Sequence, residues 1–222
     1  MPRFRALDLL VETKPDLTPV TDADRAVERA LRERVAAERP GEGVLGEEEG
    51  DDGGSTRWIV DPVDGTRNFS RGIPVWGTLI ALEREGELVL GVASAPALAG
   101  RWWASRGGGA FAAGRAIRVS AVERWADAAI STTLPAAAAG TWHARALGDF
   151  WQHMLVAEGS LDAAFDEPLS VWDYAAVQVI VEEAGGRVSD LRGGPPRPGE
   201  RVVTSNGLLH VQALASAARG AG

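Results

Sequence analysis

The sequence has 222 residues, a net charge of −8 at pH 7, 45% hydrophobic residues and no cysteine. Its length suits one large domain or two small ones, with enough apolar residues for a sizeable core. The lack of cysteine excludes disulfides, thiolate zinc sites and cysteine nucleophiles, and the negative charge argues against a broad basic face for nucleic acid or anionic lipid. Since we find no apolar stretch of signal-peptide or membrane-span character, we expect a cytoplasmic protein.

The first half of the chain begins with a predicted helix and continues with strands. Thr21 stands three residues before Asp24 in a capping-box pattern, and apolar residues then recur every fourth position, which predicts a helix over residues 22–37. Short apolar runs bounded by turn residues predict strands over 58–60, 77–82, 88–94, 101–105 and 117–119, with a hairpin turn at Glu85 and Gly86. Such closely spaced strands indicate a largely antiparallel sheet.

The second half alternates strands and helices. Strands are predicted over residues 129–133, 161–165 and 202–205, and helices over residues 149–158, 171–184 and 208–218. We find no linker long enough to separate two independent domains. We therefore expect a single catalytic domain over residues 1–222, with an N-terminal half of about 1–122 and a C-terminal half of about 123–222.

The segment WIVDPVDGTRNF, residues 58–69, carries the most chemical information. A strand runs into Asp61, and the proline after it favours an extended Asp61 followed by a sharp turn. Asp61 and Asp64 can then face one point, as oxygen ligands that Mg²⁺ prefers. Gly65 and Thr66 would open a short helix whose free N–H groups suit a phosphate oxygen. The alternative is an ordinary solvated turn, because Asp, Pro and Gly are turn formers.

Two further acidic positions support a metal site. Glu47 begins an acidic run that would repel itself unless it were exposed or bound to a cation, and we interpret the later members of this run as solvated. Asp173 stands three residues after Ser170 at the start of an apolar-faced helix, so capping alone would explain it. A carboxylate at that position, beside a metal, is also well placed as a ligand.

Three motifs in order resemble the inositol monophosphatase family: GEE at residues 46–48, DPVDGT at residues 61–66, and WDYAA followed by EAGG in the second half. The resemblance extends over nearly the whole chain. It implies an α/β fold, namely a layered αβαβα sandwich of the inositol monophosphatase and fructose-1,6-bisphosphatase type, usually assembled as a homodimer. It also implies a Mg²⁺-dependent phosphatase acting on a small phosphate monoester.

The same resemblance implies metal ligands. Asp61 would bridge two Mg²⁺ ions, Glu47 and the carbonyl of Val63 would complete the coordination of one, and Asp64 with Asp173 would hold the other. The metals would activate a water for in-line displacement at phosphorus.

It further implies roles around the phosphate. Thr66 would orient the attacking water, with Asp22 behind it as hydrogen-bond partner, and Asp64, Gly65 and Thr66 would contact the phosphate. An alternative exists for Asp22, because the helix dipole favours an acidic residue in the first turn in any case.

The motif GDFW at residues 148–151 resembles the bacterial histidinol-phosphate phosphatase branch of the family, as do the VETKPDLTPVTDAD segment, the paired tryptophans at 102 and 103 and SNGLLH at 205–210. This implies L-histidinol phosphate as substrate. Its ammonium and imidazole groups would favour carboxylates such as Asp149, Asp166 or Glu167.

Several alternatives remain open at this point. Asp149 would serve equally as a helix cap and Glu167 as a solvated loop residue. Another monoester such as inositol phosphate would suit the same metal centre, and a non-catalytic metal-binding scaffold is an interpretation of a different class. His143, His153 and His210 lack a metal-ligand spacing, and we assign them no role.

The sequence departs from the family pattern in two places. The KPD motif at residues 14–16 comes close to the start, where the family normally has a preceding helix, and residues 134–141 (LPAAAAGT) replace a longer helical segment. We expect these differences to affect stability, dimerisation and substrate affinity more than metal binding.

Overall fold

The computed structural model describes residues 1–218 of the protein. Within them, the helices are α1 Asp22–Glu38, α2 Thr66–Ser70, α3 Pro135–Ala138, α4 Asp149–Ala157, α5 Val171–Glu183 and α6 His210–Ala218. The strands of the first half are β1 Val11–Thr13, β2 Pro19–Thr21, β3 Gly43–Gly46, β4 Gly50–Asp51, β5 Thr56–Asp64, β6 Gly77–Arg84, β7 Glu87–Ala95, β8 Gly100–Ser105, β9 Gly109–Ala112 and β10 Arg115–Ala116. Those of the second half are β11 Ala129–Ser131, β12 His143–Arg145, β13 Ala163–Leu169, β14 Arg187–Asp190 and β15 Glu200–Ser205.

The elements form the layered αβαβα arrangement, and the α/β fold class is confirmed. An eight-stranded sheet has the order β10-β9-β8-β7-β6-β5-β3-β4, and a five-stranded sheet has the order β12-β11-β13-β15-β14. Helix α1 packs on the outer side of the larger sheet, α4 and α5 lie between the sheets, and α6 packs with α3 on the far side of the smaller sheet. The larger sheet is antiparallel except where β3 pairs with β5.

The core lies between the two sheets, around α4 and α5. Ile59 and Leu79 from the larger sheet, Phe150 and Met154 from α4, and Ile180 from α5 are among its fully buried side chains. Because α5 is enclosed on both sides, it is apolar around nearly its whole circumference rather than along one stripe. This burial fixes the start of α5, and with it Asp173, against the end of β5.

Capping boxes fix the starts of α1 and α5, two helices that carry acidic residues of the site. The predicted capping box of α1 is present, with the Thr21 side chain accepting from the Ala23 N–H and the Thr21 N–H donating to Asp24 Oδ2 at 2.9 Å. In α5 the Ser170 N–H donates to Asp173 Oδ2 at 2.6 Å, as the spacing of this pair predicted. Each cap satisfies N–H groups that a helix start leaves without a partner.

The structure corrects part of the secondary-structure prediction. Residues 117–119 are not a strand: the Ile117 N–H donates to Ala110 O, whereas the Val119 N–H donates to Ala184 O, so this connector crosses from the larger sheet to α5 without a continuous partner. The β1–β2 hairpin and strands β3, β4, β9, β10, β12 and β14 were not predicted. The segment at residues 134–141 retains only the four-residue α3.

Candidate active site

Three carboxylates from two elements meet at one point. Asp61 and Asp64 lie near the end of β5 and Asp173 lies in the first turn of α5, with one oxygen of each within 4.8 Å of the others. In a regular strand, residues three apart point to opposite faces. Here the pairing of β5 with β6 shifts between Asp61 and Asp64, and the Val63 N–H donates to Asp61 Oδ1 at 2.9 Å, so both carboxylates face α5.

Burial and mutual repulsion make this cluster unfavourable without a cation. Burial, reinforced by the neighbouring carboxylates, raises the pKa of Asp61 and of Asp64 well above the usual range. Burial likewise raises the pKa of Asp173 to about 7. A bound divalent cation would offset these charges, and an all-oxygen donor set fits a hard cation. The residues present therefore fit a divalent metal.

Glu47 lies at the same edge of the sheet. Strand β3 runs parallel to β5 with Gly46 opposite Val60, so Glu47, the residue after β3, lies beside Asp61 of β5. Lys14 Nζ contacts Glu47 Oε1 at 2.8 Å and Glu48 Oε1 at 2.5 Å. Burial acts to lower the pKa of Lys14, but these two carboxylates outweigh it and raise the pKa to about 12. Lys14 was not among the predicted site residues, although it lies in the KPD motif.

A buried carboxylate supports the segment that carries Glu47. Glu28 of α1 is fully buried and accepts hydrogen bonds from the N–H groups of Glu48 at 2.8 Å and Glu49 at 2.9 Å. Arg32 pairs with it at 2.9 Å. Gly46 is required here, because a Cβ at that position would lie 2.1 Å from the Glu28 carboxylate. Glu28 was also missed, since its place in the predicted helix resembles any other charged position.

The predicted partner of Thr66 is corrected from Asp22 to Asp24. Thr66 Oγ1 donates toward Asp24 Oδ1 at 3.1 Å and Val63 O at 2.9 Å. Asp22 instead pairs with Arg3 at 2.6 Å. Both acidic residues lie in the first turn of α1, but Asp24 is on the face buried against the sheet. The capping-box spacing had already singled out Asp24, and this was the signal for the correct choice.

The turn between β5 and α2 needs its glycine. Gly65 has a φ of 81°, in the left-handed region, and directly precedes the five residues of α2. A Cβ there would lie 3.0 Å from Val75 O, so a larger side chain would be both strained and crowded. The short helix predicted after Gly65 is therefore confirmed.

A cleft of about 560 Å³ contains the carboxylate cluster. It brings together every predicted site residue except Asp22 and Glu167, namely Glu47, Asp61, Val63, Asp64, Gly65, Thr66, Asp149, Asp166 and Asp173. Its other lining residues include Lys14, Arg67, Phe150, His153 and Trp172.

The cleft wall at the start of α4 is acidic as well. Asp149 is the first residue of α4 after the N-cap Gly148, and its Oδ2 accepts from Asn68 Nδ2 at 2.6 Å, so it is not the helix cap. Burial, then the nearby charge of Asp166, raises the pKa of Asp149 to about 6.

Glu167 does not reach the cleft, and its predicted substrate contact is corrected. It is exposed and pairs with Arg201 at 2.5 Å and with Thr133. Its neighbour Asp166 lines the cleft instead, because successive residues of β13 point to opposite sides. His153, to which no role was assigned, is buried beside Asp166 at 3.0 Å.

Comparison with known proteins agrees with this fold. A model of the inositol monophosphatase family matches residues 3–220. A histidinol-phosphatase of Mycobacterium tuberculosis is 47% identical, covering 96% of this chain and 89% of that protein. An inositol-1-monophosphatase of Rhizobium meliloti is 39% identical, covering 90% and 82%. The crystal structure of the extragenic suppressor protein suhB of Bartonella henselae superimposes with a TM-score of 0.90 at 31% identity, covering 98% and 92%.

The layered fold and the acidic cleft therefore define a metal-dependent phosphatase. The chain belongs to the inositol monophosphatase family, and it is a phosphoric monoester hydrolase. Among the residues that the structure describes, no helix is both long and apolar enough to cross a membrane.

Proposed function

We propose that this protein hydrolyses L-histidinol phosphate to L-histidinol and phosphate in a Mg²⁺-dependent reaction, as expected of an enzyme of histidine biosynthesis. The observation that carries the proposal is the second acidic pair, Asp149 and Asp166, on the cleft wall beside the metal-binding carboxylates. A neutral polyol does not require two extra carboxylates, whereas an ammonium and an imidazole are suited to them. The relatives named histidinol-phosphatase, 40 to 47% identical, support the same substrate.

We assign Mg²⁺ to the carboxylate cluster. Asp61, Asp64 and Asp173 would hold it together with Glu47 and the carbonyl of Val63. When bound, the metal lowers the pKa of a coordinated water and neutralises charge on the phosphate. Lys14 holds Glu47 in place and offsets part of the negative charge of the cleft.

The chain's own residues orient the attacking water. The Thr66 hydroxyl has a single hydrogen, which it directs to Asp24 or to the Val63 carbonyl, and its lone pairs are then free to accept from a water. Asp24 is itself fixed by the Thr21 N–H, so the orientation of Thr66 is determined by the start of α1. Asp64, Gly65 and Thr66 would contact the phosphate at the beginning of α2.

The test compares two substrates under two conditions. Phosphate release from L-histidinol phosphate and from inositol 1-phosphate is measured with Mg²⁺ and with a chelator. Asp61→Asn serves as the inactive control and Asp127→Asn, on the exposed surface, as the matched control.

We expect Mg²⁺-dependent release that favours L-histidinol phosphate in the wild type and in Asp127→Asn, and none in Asp61→Asn. A preference for inositol 1-phosphate would replace the substrate with the one for which the Rhizobium relative is named. No release of phosphate from either ester by the folded protein would contradict the proposed activity and favour a metal-binding scaffold. The expected homodimer and the cytoplasmic location stay predictions.

A further inference from the structure

A chain of buried hydrogen bonds ends at Asp166. His153 Nε2 lies 3.0 Å and Gln152 Nε2 lies 2.7 Å from the same oxygen, Asp166 Oδ2. Behind them, Ser131 Oγ donates to Gln152 Oε1 at 2.7 Å, and His153 Nδ1 lies 2.9 Å from Thr204 Oγ1. The four supporting side chains are at most 1% exposed.

The direction of these hydrogen bonds is determined by their end point. A carboxylate can only accept, so both Gln152 Nε2 and His153 Nε2 must carry the hydrogens that they share with Asp166. Gln152 Oε1 is then left to accept from Ser131, whose own oxygen accepts from the Leu147 N–H at 3.0 Å. Two buried chains of hydrogen bonds, which start in the smaller sheet and pass through α4, therefore end on the same oxygen, Asp166 Oδ2.

This convergence keeps Asp166 charged. Burial acts to raise the pKa of Asp166, but the hydrogen bond from His153 and the other donors outweigh it, and the pKa lies below its usual value. The Glu167 N–H donates to Oδ1 at 2.9 Å. Three donors therefore occupy three of the roughly four acceptor positions of a carboxylate, which leaves one on a residue that lines the cleft.

A hydrogen-bond network that served stability alone would not need to end at a carboxylate. Buried polar groups cost free energy unless each has a partner, and an apolar pair of similar volume would fill the same space without that cost. Here four buried side chains orient one carboxylate that lines the cleft and keeps one acceptor position open.

We propose that Gln152 and His153 are positioning residues, which hold Asp166 as a fixed anion that accepts one N–H or O–H donor from the alcohol part of the substrate. The inference rests on the proposed phosphatase function and adds how the substrate alcohol is selected. Gln152 and His153 do not touch the substrate; they act through Asp166.

The test is a double-mutant cycle with two substrates. Gln152→Met and Asp166→Asn are made singly and together, and kcat and KM are measured for L-histidinol phosphate and for 4-nitrophenyl phosphate, which lacks an ammonium. Gln178→Met is the matched control, because Gln178 also donates from a helix but bonds Glu182. Circular dichroism and thermal unfolding check that each variant is folded.

Each single variant should raise KM for L-histidinol phosphate about tenfold with kcat nearly unchanged, as expected for one charge-assisted hydrogen bond. For 4-nitrophenyl phosphate, kcat/KM should stay within about twofold. Gln152→Met should add nothing in the Asp166→Asn background, because residues that act through one another are not additive. Additive effects, or equal losses on both substrates, would overturn the proposal.

A readout without turnover separates this inference from the proposed function. Nitrogen-15 NMR of the wild-type protein should show a hydrogen on His153 Nε2, and an Nε2 without hydrogen would refute the assignment whatever the substrate. If Gln152→Met does not fold, His153→Gln takes its place in the cycle. Absence of L-histidinol phosphate turnover in the wild type would contradict the proposed function alone, and the cycle would then be run with inositol 1-phosphate, whose hydroxyls also donate.

Discussion

As the proposed metal ligands, Asp61, Asp64 and Asp173 would serve function at the expense of stability. Each has a raised pKa because it is buried among like charges. Neither their backbone partners nor their packing removes this repulsion, and only a cation would do so. The same side chains should therefore be essential for turnover and unfavourable for the metal-free fold.

We predict opposite effects of Asp64→Asn on activity and stability. Turnover should fall about a thousandfold or more, because a metal ligand is lost. The melting temperature in chelator should rise, because one buried charge is removed while the Phe150 N–H, 2.7 Å from Asp64 Oδ2, keeps an oxygen acceptor. Phosphate release and thermal unfolding are the two measurements. Normal activity in Asp64→Asn would remove the metal assignment.

A second prediction separates two neighbouring acidic residues of α1. Asp24→Asn should lower kcat about a hundredfold, because Asp24 accepts from both the Thr66 hydroxyl and the Thr21 N–H and an amide cannot accept equally at both atoms. Asp22→Asn, its matched control, should leave kcat within about twofold, since Asp22 pairs only with Arg3 in this region. Equal losses in the two variants would show that the first turn of α1, rather than Asp24, is what matters.

At the scale of elements, α1 supports the metal site from outside the sheet. Its two buried carboxylates lie one helical turn apart, with Asp24 directed to Thr66 and Glu28 to the segment after β3. One helix thereby holds both the proposed water-orienting hydroxyl and the Glu47 segment. A helix is well suited to this role because its rigidity fixes the distance between the two contacts.

We predict that Glu28→Gln weakens metal binding. The N–H groups of Glu48 and Glu49 donate to different oxygens of Glu28, and in Gln one of these two positions becomes an NH2 group that donates. One N–H group therefore loses its acceptor, and the segment that carries Glu47 should become less ordered. The Mg²⁺ affinity, measured by titration calorimetry, should fall about tenfold, as is usual when support of a ligand is lost. Glu33→Gln, at an exposed position of the same helix, is the control. Unchanged affinity in Glu28→Gln would limit Glu28 to a purely structural role.

At the scale of the whole molecule, the cleft opens where the larger sheet and the two central helices meet. The larger sheet supplies Asp61 and Asp64, α5 supplies Asp173, and α4 with β13 supplies Asp149 and Asp166. Metal binding would therefore connect the larger sheet to α5, which lies between the two sheets. Mg²⁺ should consequently affect global stability and not only the site.

We predict that this stabilisation by Mg²⁺ grows with pH. The folded pKa of Asp173 is about 7 and that of Asp149 about 6, both above the usual 3.8. A raised carboxyl pKa stabilises the folded state below the unfolded value and loses this contribution as pH rises through the folded value. The metal-free protein should thus lose stability from these groups between about pH 4 and pH 8. Mg²⁺ should bind best at the upper end of this range, where its ligands are deprotonated.

The measurement is the melting temperature with Mg²⁺ and with chelator at about pH 5 and about pH 8. The difference between the two conditions should be larger at the higher pH. Asp173→Asn should reduce that difference at both values of pH. A difference that is independent of pH would show that these carboxylates do not control metal binding. That the chain folds as a single domain stays a prediction at this scale.

Local patterns were sufficient for most of the helices and for the strands of six residues or more. The capping boxes of α1 and α5 each depend on a spacing of three residues within one turn, and the long strands of the larger sheet depend on apolar runs with tight turns. Where the prediction failed, the element was short or its partner was distant in sequence. Residues 117–119 have strand-like side chains but no neighbouring strand, and β3 is short enough that only its pairing with β5 defines it.

The sequence by itself determined the family, the α/β fold and the candidate carboxylates that the structure brings to one point, because these are carried by motifs of adjacent residues. The tertiary structure alone decided which groups act on them. It selected Asp24 over Asp22 and Asp166 over Glu167, and it revealed Glu28 behind the Glu47 segment. The two members of each pair are acidic and close in sequence, and what distinguishes them is the direction in which the side chain points. That direction is determined by the face of a helix or strand that is buried, which depends on the packing of distant segments.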